Sequence, residues 1–250
     1  MNKSAITHSW FSILRSSAIL GSHIVFPAYC TLCFEPSDAQ MSICHRCFTE
    51  LSFISEPYCN LCGHPFEYAQ EQLCDTCLDR PPIYDKARAL WEYDDACSKL
   101  ITRFKYGDAT HLASYLGSMM LGLLDNHMLK ADMIIPIPLH AKRLRQRKYN
   151  QSALLAQWLA HKIQIPYRYN SLIRTLYTPP QVTLNFSQRQ QNVDNVFTVR
   201  EHHIANIKGQ HIILVDDVMT TGATICSATK TLKEAGAARV DVILCAKTVI

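Results

Sequence analysis

Ile212-Ile-Leu-Val-Asp-Asp-Val-Met-Thr-Thr-Gly-Ala-Thr224 decides how the rest of the 250-residue sequence is read. Four aliphatic residues in a row, ended by two acids and a turn of small residues, have the pattern of a fully buried strand. Ala223 to Ala235 follows with Ile225, Ala228, Leu232 and Ala235 at helical spacing, and Gly236 is placed to stop that helix. Val240-Asp-Val-Ile-Leu-Cys-Ala246 then reads as another buried strand. Strand, helix and strand in this order predict a βαβ unit of a parallel sheet.

The chemistry follows from the turn. Thr220, Thr221, Gly222, Ala223 and Thr224 stand where the strand feeds its helix, and backbone N–H groups, small hydroxyls and the positive helix end together suit a phosphate monoester. Asp216 and Asp217, at the carboxyl end of the strand, can accept hydrogen bonds from a vicinal diol. The pair describes a cradle for a ribose 5-phosphate. A turn that only caps its helix is the plain alternative, and the length of the motif in a strand-helix context argues against it.

Position for position, the thirteen residues resemble the phosphoribosyl pyrophosphate (PRPP) motif of type I phosphoribosyltransferases. The resemblance implies that Asp216 and Asp217 hold the ribose hydroxyls, that Thr220, Thr221, Gly222, Ala223 and Thr224 wrap the 5-phosphate, and that Val218 and Met219 belong to the same PRPP site. Mg2+ would accompany PRPP, usually keeping several waters.

Totals bound the remainder. At 48% apolar composition the chain can bury a substantial core. The net charge of +4 divides unevenly: residues 28–80 hold eight acids against Arg46 and Arg80, whereas residues 81–250 hold 21 Lys and Arg against 13 Asp and Glu. Attraction to nucleic acid is therefore expected of the later part. Residues 1–27 show no signal-peptide pattern, and no window reaches the ~18 apolar residues of a membrane span. Trp10, Phe11, Ile13, Leu14, Ala18 and Ile19 give that segment a helical apolar stripe, which suits docking on the protein body or, alternatively, a membrane surface. A cytoplasmic setting, with peripheral contact to the inner membrane as its variant, makes paired cysteines metal ligands rather than disulfides.

Four C-x2-C knuckles occur: Cys30 and Cys33, Cys44 and Cys47, Cys59 and Cys62, Cys74 and Cys77. Two four-thiolate Zn2+ sites are expected, and sequential pairing of adjacent knuckles is the simpler arrangement, with an interleaved cross-brace equally compatible with the spacing. Small ribbons bury too little to fold without metal. Each four-thiolate centre carries a formal charge of minus two beside acidic side chains, which favours a structural or partner-docking role over phosphate contact. His45 and His64 are read as bystanders. Pro81-Pro82 marks the linker to a domain spanning 83–250, so that a double zinc ribbon over 28–80 follows the first 27 residues.

Within that domain, Ala87 to Tyr93 reads as a strand, and Ala96 to Phe104 and Leu112 to Leu124 as helices separated by Lys105-Tyr-Gly-Asp108. Lys105 is either a solvated turn residue or, by resemblance to phosphoribosyltransferases, an anion contact near the site. Ala131 to His140 reads as a strand running into a loop stiffened by Pro136 and Pro138. His140-Ala-Lys-Arg-Leu-Arg-Gln-Arg-Lys-Tyr149 then carries Lys142, Arg143, Arg145, Arg147 and Lys148 without an acid. Such a run is commonly a solvated helix face, but after a buried strand it stands where a diphosphate-binding loop is expected. With Tyr149 it could also track single-stranded DNA and stack a base. Residues 175–189 form a long Pro-broken connection of the kind that serves as a lid, and Val196 to Val199 returns as a strand. Cys97, Cys226 and Cys245 read as buried structural thiols.

Pro136-x-Pro-Leu-His140, the basic run and Arg147-Lys-Tyr-Asn-Gln151 resemble the ComF family of phosphoribosyltransferase-like proteins, which also begin with a CxxC-rich region. The family's usual Arg-Gly-Phe-Asn-Gln stands here as Arg-Lys-Tyr-Asn-Gln, with Lys148 in the glycine position. The resemblance implies an α/β fold of the type I phosphoribosyltransferase class preceded by a zinc-ribbon module. It implies that Lys105, His140, Arg147, Asn150 and Gln151 join the PRPP site, with Arg147 neutralising a departing diphosphate, and that Gln181, Leu184, Arg189 and Asn192 belong to the mobile loop. It also implies a role in natural transformation, with single-stranded DNA and competence-machinery proteins as partners. Purine-salvage relatives carry an acid where Thr220 stands, so the general base of those enzymes is missing from its expected place. Three readings follow: an enzyme acting on an unidentified nitrogen acceptor, a DNA-handling protein that binds PRPP, and a PRPP-responsive regulator.

Overall fold

The computed structural model describes residues 29–37, 42–68, 72–176 and 196–249. It divides into two compact units, Met1–Glu50 and Leu51–Ile250.

The small unit contains one ribbon. Cys30, Cys33, Cys44 and Cys47 converge, and the short helix α1, His45–Thr49, starts directly after the second knuckle's first cysteine. Knuckle turns are fixed by backbone bonds, Cys30 N–H to Glu35 O at 2.8 Å, Thr31 N–H to Ser42 O at 2.9 Å and Phe34 N–H to Cys30 O at 2.9 Å. Phe34 closes the turn at φ 61°, a left-handed conformation that costs a side-chain-bearing residue about 1–2 kcal/mol.

The large unit repeats that plan and adds a sheet. Cys59, Cys62, Cys74 and Cys77 form the second cluster, and α2, Asp75–Asp79, starts directly after Cys74 and carries Cys77. The same bonds recur: Cys59 N–H to His64 O at 2.7 Å, Asn60 N–H to Gln72 O at 2.8 Å and Gly63 N–H to Cys59 O at 2.9 Å. Pairing of adjacent knuckles is thus the arrangement found, and the interleaved alternative is excluded. His45 and His64 belong to neither cluster.

Composition places a boundary at Pro81-Pro82, but the compact units part between Glu50 and Leu51, because the second ribbon packs on the sheet. The sheet has four parallel strands in the order β1, β6, β5, β2, where β1 is Lys86–Glu92, β2 Met133–Pro136, β5 His211–Met219 and β6 Arg239–Lys247. β3, Leu172–Arg174, and β4, Phe197–Val199, pair antiparallel as a separate ribbon. β5 and β6 are central and buried on both faces, which is why they read as unbroken aliphatic runs.

An edge strand must hide its unpaired backbone. On β1 the second ribbon does so: Ala87 N–H donates to Leu61 O at 2.6 Å, Ile54 N–H to Leu90 O at 2.9 Å and Glu92 N–H to Ser52 O at 2.9 Å. Gly63, at φ 67°, repeats the turn of Phe34, and a Cβ there would stand 2.9 Å from Ala87 O. Close approach and backbone conformation both demand glycine here.

Helices cover the faces. α3 is Asp95–Tyr106, α4 Leu112–Met120, α5 Ala141–Arg147, α6 Gln151–Ile163, α7 Glu201–Ile207 and α8 Ala223–Glu234. The expected helix Leu112 to Leu124 tightens into a 3-10 turn at Leu121–Leu123. α4 crosses α6 at Gly117, where an added Cβ would lie 2.6 Å from the Trp158 ring. Ile212, Leu214, Val240, Val242 and Leu244 pack with Ile225, Ala228 and Leu232 of α8 and with the second cysteine cluster in one core.

The expected diphosphate loop is the main local difference. Residues 141–147 are helical, so most of the basic run lies on a short helix, and the turn comes at Lys148. Lys148 adopts φ 67°, the conformation for which the family's glycine is suited, and its ammonium pairs with Asp108 at 2.6 Å.

Among the described residues no helix is long and apolar enough to cross a membrane. The apolar stripe of residues 1–27 and the connection carrying Gln181, Leu184, Arg189 and Asn192 lie outside the described residues.

Candidate functional site

β5 runs on through both acids to Met219, so Asp216 and Asp217 are held by ladder bonds rather than by a loop. Asp217 is buried and its Oδ1 meets the Lys105 ammonium at 2.7 Å. Asp216 Oδ1 accepts from the Ser152 hydroxyl at 2.7 Å and from the Asp217 N–H at 2.9 Å. Burial and the Asp217 charge push the Asp216 carboxyl up, to about 7, against the pull of Ser152 and Lys105. Burial acts to discharge Lys105, but the two carboxylates outweigh it and its pKa rises. The couple is a closely balanced charge cluster at the carboxyl end of a central strand, where open α/β sheets bind their ligands.

Beyond Met219 the chain turns through Thr220 and Thr221 to Gly222 and enters α8. Gly222 is left-handed at φ 76°, and a Cβ there would meet only the Met219 side chain, at 3.6 Å from Sδ, so conformation and not crowding selects glycine. Thr220 is exposed, and Thr221, Gly222, Ala223 and Thr224 are partly exposed. The first-turn N–H groups of a helix have no intrahelical acceptors, and here they open on the side where β5 ends.

The Arg147–Gln151 segment is held by the end of α3. Arg147 Nη2 donates to the Tyr106 hydroxyl at 2.9 Å and Nη1 to Gln151 Oε1 at 3.3 Å, with the guanidinium 5.0 Å from the Tyr106 ring centre. Gln151 Nε2 reaches the carbonyls of Phe104 and Lys105 at 3.4 and 3.3 Å. Asn150 caps α6 through Ser152 N–H at 3.1 Å and donates to Ile137 O at 2.9 Å. His140 Nδ1 caps α5 through Lys142 N–H at 3.2 Å. These groups brace the strand end and the α3 terminus against each other. Arg147, Lys105, Asp216 and Asp217 are the charged groups that this bracing gathers.

The DNA-binding candidates divide. Lys142, Arg145 and Lys148 are exposed on or just after α5, and Arg143 is partly buried. Tyr149 is half-buried, its hydroxyl donating to Phe104 O at 2.6 Å and its ring tilted against Phe104. Two contributors escaped the sequence reading. Ser152 carries no signal of its own beyond following Asn150. Arg174 ends β3, largely buried, where burial and the neighbouring Arg143 hold its pKa down while Asp216 opposes them. A three-residue strand gives no periodicity by which to place it.

Both cysteine clusters suit zinc. Within each, the four sulfurs lie within 4.8 Å of one another, and Cys33–Cys44 and Cys62–Cys74 are each 3.6 Å apart. A tetrahedral centre with Zn–S near 2.3 Å sets sulfurs about 3.8 Å apart. Backbone donors already face the sulfurs: Cys44 N–H lies 3.3 Å from Cys30 Sγ, and Cys74 N–H lies 3.4 Å from Cys59 Sγ.

Two family models match, a double zinc ribbon domain over residues 22–78 and a phosphoribosyl transferase domain over residues 151–248. Competence protein F of Haemophilus influenzae is 33% identical over 209 residues, covering 82% of this chain and 90% of that protein. The chain belongs to the ComF family. Competence protein ComFC of Bacillus subtilis is 30% identical over 203 residues, covering 78% of this chain and 80% of its own length. The DNA utilization protein YhgH of Escherichia coli K12 is 28% identical over 225 residues, covering 88% and 96%. Among solved structures, the B. subtilis glutamine PRPP amidotransferase aligns at 21% identity with a TM-score of 0.38, over 56% of this chain and 30% of that one. At that score the alignment adds nothing to the family assignment. As a ComF-family member, the chain combines a phosphoribosyltransferase-type α/β domain with a double zinc ribbon.

Proposed function

We propose that this ComF-family protein acts in competence as a PRPP-binding protein that handles incoming single-stranded DNA on the cytoplasmic side of the inner membrane. The observation that carries the PRPP reading is the carboxylate couple at the end of β5, poised against Lys105 and opening on the Thr220–Gly222 turn of α8. Asp216 and Asp217 would receive the ribose diol and the first turn of α8 the 5-phosphate. Arg147 and Lys105 would face the diphosphate. Mg2+ bound with PRPP would supply charge neutralisation for the diphosphate.

Thr220, standing where nucleobase-salvage relatives carry an acid, favours retention of PRPP over transfer to a purine. The DNA reading rests on α5 and on the names of the relatives. Lys142, Arg145 and Lys148 are exposed on a run, residues 141–149, that carries no acid of its own, and Lys148 pairs with Asp108 across from it. Anisotropy of a labelled oligonucleotide tests it: the triple variant K142A/R145A/K148A should bind at least tenfold more weakly and show a shallower salt slope. Unchanged affinity and slope would refute the assignment of α5. Diphosphate release from PRPP in the presence of amine and nucleobase acceptors would replace the binding reading with an enzymatic one.

A further inference from the structure

Lys247, the last residue of β6, is buried, and no ribose or phosphate role uses it. Its ammonium donates to Cys62 O at 2.9 Å and to Cys62 Sγ at 3.0 Å. Among the described residues no carboxylate lies within ion-pair distance of it. A buried ammonium without a counter-charge is costly, and a neutral thiol supplies none. A four-thiolate zinc centre does, since it carries a formal charge of minus two. Arg88, also buried, repeats the arrangement from β1: its Nη1 donates to Cys59 O at 3.4 Å and Asn60 O at 3.3 Å, and its guanidinium stands 4.4 Å from the Tyr58 ring centre. Two cations from two sheet strands therefore converge on one knuckle.

We infer that Lys247 is a positioning residue of the second zinc centre: by donating to the Cys62 thiolate it anchors that centre to the parallel sheet. Among the described residues of the first unit no buried cation donates to a cysteine sulfur. Arg46, the α1 residue next to that centre, is exposed. Outer-shell donors of this kind orient a ligand and temper its charge. The anchor also ends near the candidate phosphate turn. Lys247 is the register partner of Met219, and Thr248 N–H donates to Met219 O at 2.9 Å, so the strand residue that holds Cys62 is laddered to the residue from which the turn departs.

The test uses the full-length chain with Cys30, Cys33, Cys44 and Cys47 all changed to Ser, which leaves the second centre as the site observed, loaded with zinc or with cobalt. Zinc transfer to a chromogenic chelator should run roughly 10–100-fold faster in Lys247→Met, the range typical for loss of an outer-shell donor. The thiolate-to-cobalt absorption band should shift in the same variant, a change that simple loss of packing does not produce. Lys247→Gln, which keeps a neutral donor, should fall between the two. Release at the parental rate from both variants, with an unshifted band, would overturn the inference. Should Lys247→Met fail to fold, Lys247→Gln alone decides: parental release and an unshifted band overturn it, and accelerated release sustains it.

Discussion

The two cysteine modules share one hydrogen-bond plan and differ in what they are attached to. Cys30 to Cys47 and Cys59 to Cys77 use the same turn, the same closing bonds and the same short helix. Yet the first belongs to a small unit of its own, and the second covers the edge of β1, shares a core with α8 and receives Lys247. One residue records the difference. Phe34 occupies the left-handed turn position in the first module and Gly63 in the second, where Ala87 O leaves no room for a side chain. The same motif can thus sit in a small compact unit or form a structural wall of a domain, and the wall is the stricter environment.

The comparison breaks first on metal. Cys62→Ser should abolish the cooperative thermal transition of the large unit, because a lost ligand removes folding free energy from a core that includes the sheet. Cys33→Ser should leave that transition in place; equal losses from the two variants would contradict the division. Metal stoichiometry and calorimetry together read both outcomes.

Glycine comes next. Gly63→Ala should destabilise the large unit by about 1–3 kcal/mol, combining left-handed strain with the 2.9 Å approach to Ala87 O. At the matching position Phe34→Gly should leave the large unit unchanged. A Gly63→Ala protein with the parental midpoint would mean that the ribbon does not seal β1.

Acidity separates the units as well. A carboxyl raised in the fold holds its proton more firmly there than in the unfolded chain. The stabilisation from Asp216 is therefore fully present below about pH 4 and lost as pH rises through about 7. Asp216→Asn should raise the midpoint of the large unit at pH 8 by about 2–4 °C, with the gain shrinking toward pH 5. A gain that grows on acidification would reverse the sign assigned to Asp216. The smallest effect is expected at Lys148. Lys148→Gly exchanges an exposed ion pair with Asp108 for relief of left-handed strain, and the midpoint should move by less than about 2 °C.

Much of the sheet was legible because buried parallel strands are long aliphatic runs, and the turn at Gly222 because its residues are chosen by conformation and donors. The eight ligands were legible from spacing alone. The attachment of the second ribbon was not, since Lys247 and Arg88 look like ordinary strand residues until the ladder brings them to the knuckle. The basic run misled for a related reason: a run without acids gives charge but no secondary structure, and α5 is too short to show a period. Lys148 in a glycine position was the one residue there whose sequence signal matched a backbone feature.

The central claim is that the Asp216–Asp217 couple and the Thr220–Gly222 turn form a receptacle for PRPP. Isothermal titration of the zinc-loaded full-length protein with PRPP and Mg2+ tests it most directly, with the double variant Asp216→Asn/Asp217→Asn alongside. The account predicts one binding event per chain in the parent, weakened at least tenfold in the variant at unchanged zinc content. Absence of binding in the parent, or equal affinity in both proteins, would contradict it.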